Sequence, residues 1–121
     1  MTEIIKSFFQ MKSWQESHKL VLLVYKASKG FSEDERFGLS SQIRRASVSV
    51  SSNIAEGFAR RSKPEKINFY SIAFGSLVEV QSQLLIAQDL GYIGGVCFTK
   101  IADQTVLTKK LLSGSIRKLK S

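Results

Sequence analysis

Apolar residues along the chain recur at steps of three and four, and they do so in four separate segments. That spacing gathers them on one side of a 3.6-residue helix, and no segment of similar length alternates like a strand. The first segment runs from about Ser13 to Lys29, with Trp14, His18, Val21, Leu22 and Tyr25 on its predicted inner face and Ser13 as its cap. Gly30 stops it. The connection GFSEDERFG follows, and its Glu33, Asp34 and Glu35 suit the positive end of the next helix, about Glu35 to Arg61. Leu39, Ile43, Ala46, Val50, Ile54 and Phe58 form the inner stripe there. Small residues fill its middle, among them Ser47, Ser49, Ser51, Ser52 and Ala55. Serine and valine rank below alanine in helix propensity, so this composition predicts close backbone approach or hydroxyl hydrogen bonds to neighbouring helices.

Ser62 and Pro64 mark a third helix, because serine caps and proline costs nothing where its missing amide has no partner. Phe69, Ile72, Ala73, Ser76, Leu77, Val80, Leu84 and Ala87 make one long stripe, ended by Gly91. Gly75 inside it costs about 1 kcal/mol relative to alanine, a cost predicted to be offset by close contact with the serine-rich second helix. In the glycine-bearing loop, Tyr92 and Ile93 are expected to fold onto the end of the bundle. A last helix covers about Phe98 to Leu119, with Ile101, Thr105, Thr108, Leu112, Ile116 and Leu119 inside and Leu107 and Leu111 beside them. Long amphipathic helices joined by short connections pack antiparallel, which predicts an all-α, up-down-up-down four-helix bundle. The length of 121 residues suits a single domain over 1–121, with 1–12 as a short lead that folds back or packs on a neighbour.

Lysine and arginine number 18 against 10 acidic residues, a formal charge of +8. Such a balance suits RNA, DNA or lipid headgroups, and it equally keeps a small protein in solution. One cysteine, Cys97, rules out an intrachain disulfide and fits a reducing cytoplasm. It is expected to be a half-buried structural thiol. The apolar run LVLLVY, residues 20–25, falls far short of the roughly 20 residues that span a bilayer. The start lacks the apolar core and cleavage site of a signal peptide, so the protein is expected in the cytoplasm and not on a membrane.

Catalytic chemistry finds no residue set. His18 is the only histidine and is expected to be buried or half-buried structurally. Glu16, Glu56 and Glu79 lack the Glu-x-x-His pairs of a di-iron bundle, and no metal or other cofactor is expected. Nucleophile elbows, phosphate loops and dinucleotide-binding glycine motifs are missing too, so the chain is not expected to be an enzyme.

Two polar constellations remain. Gln42, Arg45, Ser49, Asn53 and Glu56 share one side of the second helix, with Arg60 placed to pair with Glu56. This side reads either as a solvated face or as an oligomer interface whose polar groups fix register. The second constellation is basic. Positions 42–66 carry Arg44, Arg45, Arg60, Arg61, Lys63 and Lys66 against Glu56 and Glu65; positions 100–121 carry Lys109, Lys110, Arg117 and Lys118 among six basic residues against Asp103. In an antiparallel bundle the second and fourth helices run the same way. The last basic group should therefore lie near Arg60, Arg61 and Lys63, where it would contact phosphates without reading bases. The competing reading is a protein–protein adaptor with incidental charge.

The ordered runs Phe37-Gly38-Leu39, Gln42-Ile43-Arg44-Arg45-Ala46, Ser49, Asn53-Ile54-Ala55-Glu56-Gly57 and Ala73-Phe74-Gly75-Ser76-Leu77 with Glu79 carry a further signal. From about Trp14 to the last helix the chain closely resembles the bacterial four helix bundle protein family, also called the 23S ribosomal RNA intervening sequence protein family. Ser32 departs from the proline that the family commonly has after Phe31, which affects only a loop. The resemblance implies an up-and-down bundle assembled as a homopentamer around a channel, with no established enzymatic activity. It also implies an RNA connection, since such genes were first noticed inside insertions of the large ribosomal RNA gene. The fold is similar to the accessory protein of diversity-generating retroelements, a basic pentamer that binds nucleic acid and a reverse transcriptase. By that similarity Arg44, Arg45, Arg60 and Arg61 become candidates for interchain pairing or phosphate contact.

Overall fold

The computed structural model describes residues 3–121, the side chains of 4–6 excepted. Five helices follow in order: α1 Glu3–Phe9, α2 Lys12–Ser28, α3 Leu39–Ala59, α4 Lys63–Asp89 and α5 Gly95–Lys120. A single 3₁₀ turn, Glu33–Glu35, precedes α3, and there are no strands among the described residues. The four long helices form a ring in which α2 packs on α3, α3 on α4, α4 on α5 and α5 back on α2. This is the expected antiparallel bundle. The lead is itself helical over Glu3–Phe9, while positions 1 and 2 lie outside the described residues.

The core is built as the stripes predict on three helices. Ile43, Ala46, Val50 and Ile54 of α3 meet Ala73, Leu77, Val80, Leu84 and Ala87 of α4, where Tyr70 is buried in place of the expected Phe69, which is half-buried, and α5 adds Ile101 and Leu112. Ile72 and Leu107, assigned inward or beside the core, are exposed, since each lies past the edge of its helix's buried stripe. Three buried hydroxyls are satisfied within their own helices: Ser47 Oγ donates to Arg44 O (2.9 Å), Thr105 Oγ1 to Ala102 O (2.6 Å) and Thr108 Oγ1 to Gln104 O (2.8 Å). Such back-bonding lets small polar residues sit in an apolar interior without an orphaned donor.

On α2 the inner face is different from the expected one. Leu20 and Val24 enter the core with Ser13, Glu16, Ser17 and Ser28, whereas Leu22, Tyr25 and His18 are exposed and Trp14 and Val21 half-buried. The run LVLLV is apolar at successive positions and so points to no one face. Small serines beside Leu20 and Val24 decide it by letting the helices close up. Trp14 is instead covered by the lead, with the Phe8 and Phe9 rings 5.2 and 5.6 Å from its own. His18 stacks on the other side of the indole at 5.0 Å, an exposed residue rather than a buried one. Ser13 is no cap; Met11 holds that position and the Ser13 hydroxyl is buried without a partner.

Other boundaries shift for local reasons. α3 starts at Leu39 because Glu35 ends the 3₁₀ turn and its Oε1 accepts from the Leu39 amide (3.1 Å). It stops at Ala59, where Arg60 becomes extended and leads to Ser62. Ser62 caps α4 as expected, its Oγ accepting from the Glu65 amide at 3.2 Å and donating to Glu65 Oε1 at 3.0 Å. α4 ends in a Schellman motif: Gly91 takes φ +77°, its amide donates to Gln88 O (3.0 Å), and the Tyr92 amide to Ala87 O (2.9 Å). Ile93 is buried and Tyr92 packs on Phe31, as expected of that loop. α5 begins at Gly95, ahead of the predicted Phe98, which leaves Cys97 in its first turn and exposed rather than half-buried. By length and composition α4 is the one described helix able to cross a membrane, and its buried face is the core of the bundle.

Candidate nucleic-acid interface

The ends of α3 and α5 and the start of α4 meet at one end of the bundle. Lys63 and Lys66 of α4 and Lys118 of α5 line a groove of about 400 Å³ whose apolar residues include Met11, Phe58, Tyr70 and Leu119. The expected convergence of helix ends is therefore present, with Lys118 opposite Lys63. Lys66 turns back to the end of α3, donating to Phe58 O (2.7 Å) and Gly57 O (3.4 Å), and its Nζ lies 5.4 Å from the Phe58 ring. A cation at the carbonyl end of a helix answers both the unpaired carbonyls and the dipole. Arg60 pairs with Glu56 at 3.1 Å, as its spacing predicts, and lies over the Phe69 ring at 4.6 Å. Arg117 and Lys120 line a neighbouring depression beside Phe74 and Ile116. Among the described residues only Arg60 and Lys19 are ion-paired, so Arg61, Lys63, Lys66, Arg117 and Lys118 have no acidic partner there. Burial pushes the Tyr70 hydroxyl above its ordinary pKa, so it remains a proton donor in the groove wall, where its contact is Met11 Sδ at 4.0 Å.

The basic residues singled out from the sequence do not form one patch. Arg44 stands near the start of α3, sixteen positions before Arg60 just past its end, about 24 Å along the helix axis. It packs on α2, with Nε donating to Ser28 Oγ at 2.6 Å and its guanidinium 4.8 Å from the Tyr25 ring. Arg45 beside it is exposed. Lys109 and Lys110 fall in the middle of α5, Lys109 over the Phe74 ring at 5.0 Å and Lys110 exposed. Lys66, counted in the basic stretch but not singled out with Arg60, Arg61 and Lys63, lines the groove as well. Its position three after Lys63, on the same helical face, is the signal that finds it.

The polar side of α3 divides as well. Ser49 Oγ lies 2.8 Å from Ser76 Oγ of α4, and Asn53 Nδ2 donates to Ser49 O (2.8 Å) and Ser49 Oγ (3.1 Å). The half-buried Ser49 thus joins α3 to α4, with Asn53 bonded to it within α3, while Gln42, Arg45 and Glu56 stay exposed. The described residues hold no cluster of His, Cys, Asp or Glu able to bind a metal ion.

Fold and surface together define a basic, all-helical up-and-down bundle with Lys63, Lys66 and Lys118 around a groove at one end. The chain belongs to the 23S rRNA-intervening sequence protein family, whose family model matches residues 10–114. It is also similar to a crystal structure at 1.70 Å resolution of a protein with unknown function from the S23 ribosomal protein family, from Bacteroides thetaiotaomicron VPI-5482. That similarity has 25% sequence identity and a TM-score of 0.80, and covers 86% of this chain and 97% of the other. No curated protein matches the chain. The family and this relative are of unknown function, and neither match indicates a catalytic family.

Proposed function

We propose that the protein is a cytoplasmic, non-enzymatic accessory protein that binds RNA or DNA through phosphate contacts at its basic end and works as a homo-oligomer. The observation that carries this reading is the meeting of Lys63, Lys66 and Lys118 from two helices around one groove, with Arg61 and Arg117 nearby in sequence and no acidic partner for any of them. Flexible cations of this kind neutralise phosphates and release counterions, which yields affinity without base discrimination. Nothing in the bundle places a helix for major-groove reading or an aromatic-bearing sheet for single strands. Membership in a family named for ribosomal RNA insertions supports an RNA association.

The test is a titration of purified protein with a structured RNA and a matched duplex DNA across a salt series. Each phosphate contact contributes about 0.9 to the slope of log affinity against log salt for duplex DNA. Replacing Lys63 and Lys118 together by alanine should lower that slope by roughly 2 and weaken both nucleic acids alike. No binding at low salt, or an unchanged slope in the double variant, would remove the basic end from the function.

A second reading, a protein-binding adaptor, is favoured by a different observation. Leu85 of α4, Leu90 just past its end and Val106 of α5 are large, apolar and more than half exposed, and Leu85 and Val106 share a groove between the two helices. Apolar surface of this kind marks an interface, either with another copy or with a partner. A copurifying protein partner that persists in the Lys63/Lys118 variant would favour the adaptor.

A further inference from the structure

The opposite end of the bundle holds a separate concave site. The end of α2, the 3₁₀ turn and the first turns of α3 enclose a cavity of about 400 Å³. Three cations from three different stretches line it: Lys29 just after α2, Arg36 just after the 3₁₀ turn, and Arg44 in the second turn of α3. One carboxylate, the exposed Glu33, shares the wall. The nearby Glu35 is already committed, accepting from the Leu39 amide with Oε1 and from the Tyr92 hydroxyl with Oε2.

Arg44 is held in place rather than free to swing. Its Nε donates to Ser28 Oγ at 2.6 Å, a terminal nitrogen lies 3.5 Å from Tyr25 O, and the Tyr25 ring lies beneath it. Those bonds use two of the five N–H groups of a guanidinium, leaving the rest for another acceptor. Ser40 supplies an independent observation. It is 8% exposed and lines the cavity, and its hydroxyl, which bonds to no other described residue, stays open to solvent there, unlike the sealed and orphaned hydroxyl of Ser13. The buried serines Ser17, Ser28 and Ser47 all donate to a carbonyl of their own helix. Ser40 also stands in the first turn of α3, where Gly38 offers no capping side chain and the only side-chain acceptor is the Glu35 carboxylate, taken by Leu39. Unpaired amides at a helix start carry the positive end of the dipole and bind oxyanions.

We propose that this cavity is a binding site for a phosphate monoester, presented either by the end of a nucleic-acid strand or by a small phosphate ester. Three cations against one carboxylate leave an excess that matches the near-dianionic charge of a monoester at neutral pH. A guanidinium fixed by its neighbours, a free hydroxyl and helix-start amides are the donors that the phosphate oxygens require. The buried ring of Phe31 forms an apolar wall of the same cavity. The site lies far from the basic groove and does not depend on nucleic-acid binding there.

Amide chemical shifts report occupancy directly. Adenosine 5′-monophosphate should shift the Ser40 and Ser41 amides saturably, and adenosine should not. Arg44→Gln should weaken that binding at least tenfold and Ser40→Ala several-fold. Since Arg44 also ties α2 to α3, Ser40→Ala and the exposed Lys29→Ala keep the test decisive where Arg44→Gln does not fold. The source is separated with a short RNA bearing a 5′-phosphate or a 5′-hydroxyl, titrated into the Lys63→Ala/Lys118→Ala background. A 5′-phosphate-dependent affinity at least tenfold above that of the mononucleotide identifies a strand end; affinity equal to the mononucleotide's identifies the small ester. No saturable shift with any phosphate compound at millimolar concentration, or binding unchanged in both Ser40→Ala and Lys29→Ala, overturns the proposal.

Discussion

A Cβ added to Gly57 would come within 2.6 Å of Tyr70 Cε1 and 3.1 Å of Phe69 Cβ, while one added to Gly75 would meet nothing within 4 Å. Gly57 is therefore the residue that lets α3 and α4 close on each other. Gly57→Ala forces the buried Tyr70 ring to move, and overpacking of this kind costs about 1–3 kcal/mol. Gly75→Ala relieves a mid-helix glycine and should stabilise by about 0.5–1 kcal/mol. Thermal melts of the two variants should move in opposite directions; a shared direction would mean that the α3–α4 packing is misjudged. The sequence pointed to the wrong glycine for a physical reason. A glycine inside a helix announces a backbone without a side chain, but its partner is set by azimuth. Gly57 meets a tyrosine on the next helix that no local pattern connects to it. His18 and Cys97 were misplaced for the same cause, since the burial of an isolated residue depends on which face its helix turns inward.

Elements with one unbroken stripe were legible, and those with two were not. The α3 positions Ile43, Ala46, Val50 and Ile54 follow a single 3.6-residue period, and all are buried. The apolar crowd of α2 supports two faces, and only the packing of its serines against neighbouring helices chose between them. Connections add specific links of their own. The Tyr92 hydroxyl in the α4–α5 loop donates to Glu35 Oε2 at 3.0 Å, joining that loop to the entry of α3. The hydrogen bond to Glu35 is the main reason the phenol is held above its ordinary pKa of 10.0, with desolvation and the charges of Glu35 and Asp34 adding in the same sense. A raised pKa means that the folded state binds this proton more tightly than the unfolded state does. The contribution is thus complete below about pH 10 and is lost as pH climbs through the raised value. The difference in denaturation midpoint between the natural protein and Tyr92→Phe should be constant from pH 7 to 9 and shrink above 10. Tyr70, raised by burial, is common to both proteins and cancels. A difference that grows with pH would contradict the assignment of the bond.

At the scale of the molecule, topology alone says which helix ends meet, which is why the sequence places Lys118 and Lys63 at one end, where they line one groove. The same argument separates Arg44 from Arg60, because residues sixteen apart on one helix stand at opposite ends of the bundle. Adding basic residues by sequence window had merged them. Whole-molecule packing also leaves large apolar residues exposed: Val78, Leu85 and Ile86 on α4, Leu90 just past its end, and Val106 and Leu107 on α5. These residues complete no core within the chain. A cyclic oligomer needs two different faces, one from each neighbour, whereas a two-fold dimer repeats the same patch. The apolar α4–α5 surface and the exposed Gln42, Arg45 and Glu56 of α3 are the two different faces that the proposed homo-oligomer would use. Leu85→Glu and Arg45→Glu each change a side chain that is exposed in the single chain, so helicity should persist in both. If the two faces meet across a ring, either variant alone should drop the solution mass to that of a monomer, measured by sedimentation or light scattering. Loss of assembly with Leu85→Glu alone would instead leave α3 outside the contact and make the apolar surface its own partner, while an unchanged mass in both would remove these faces from any self-association.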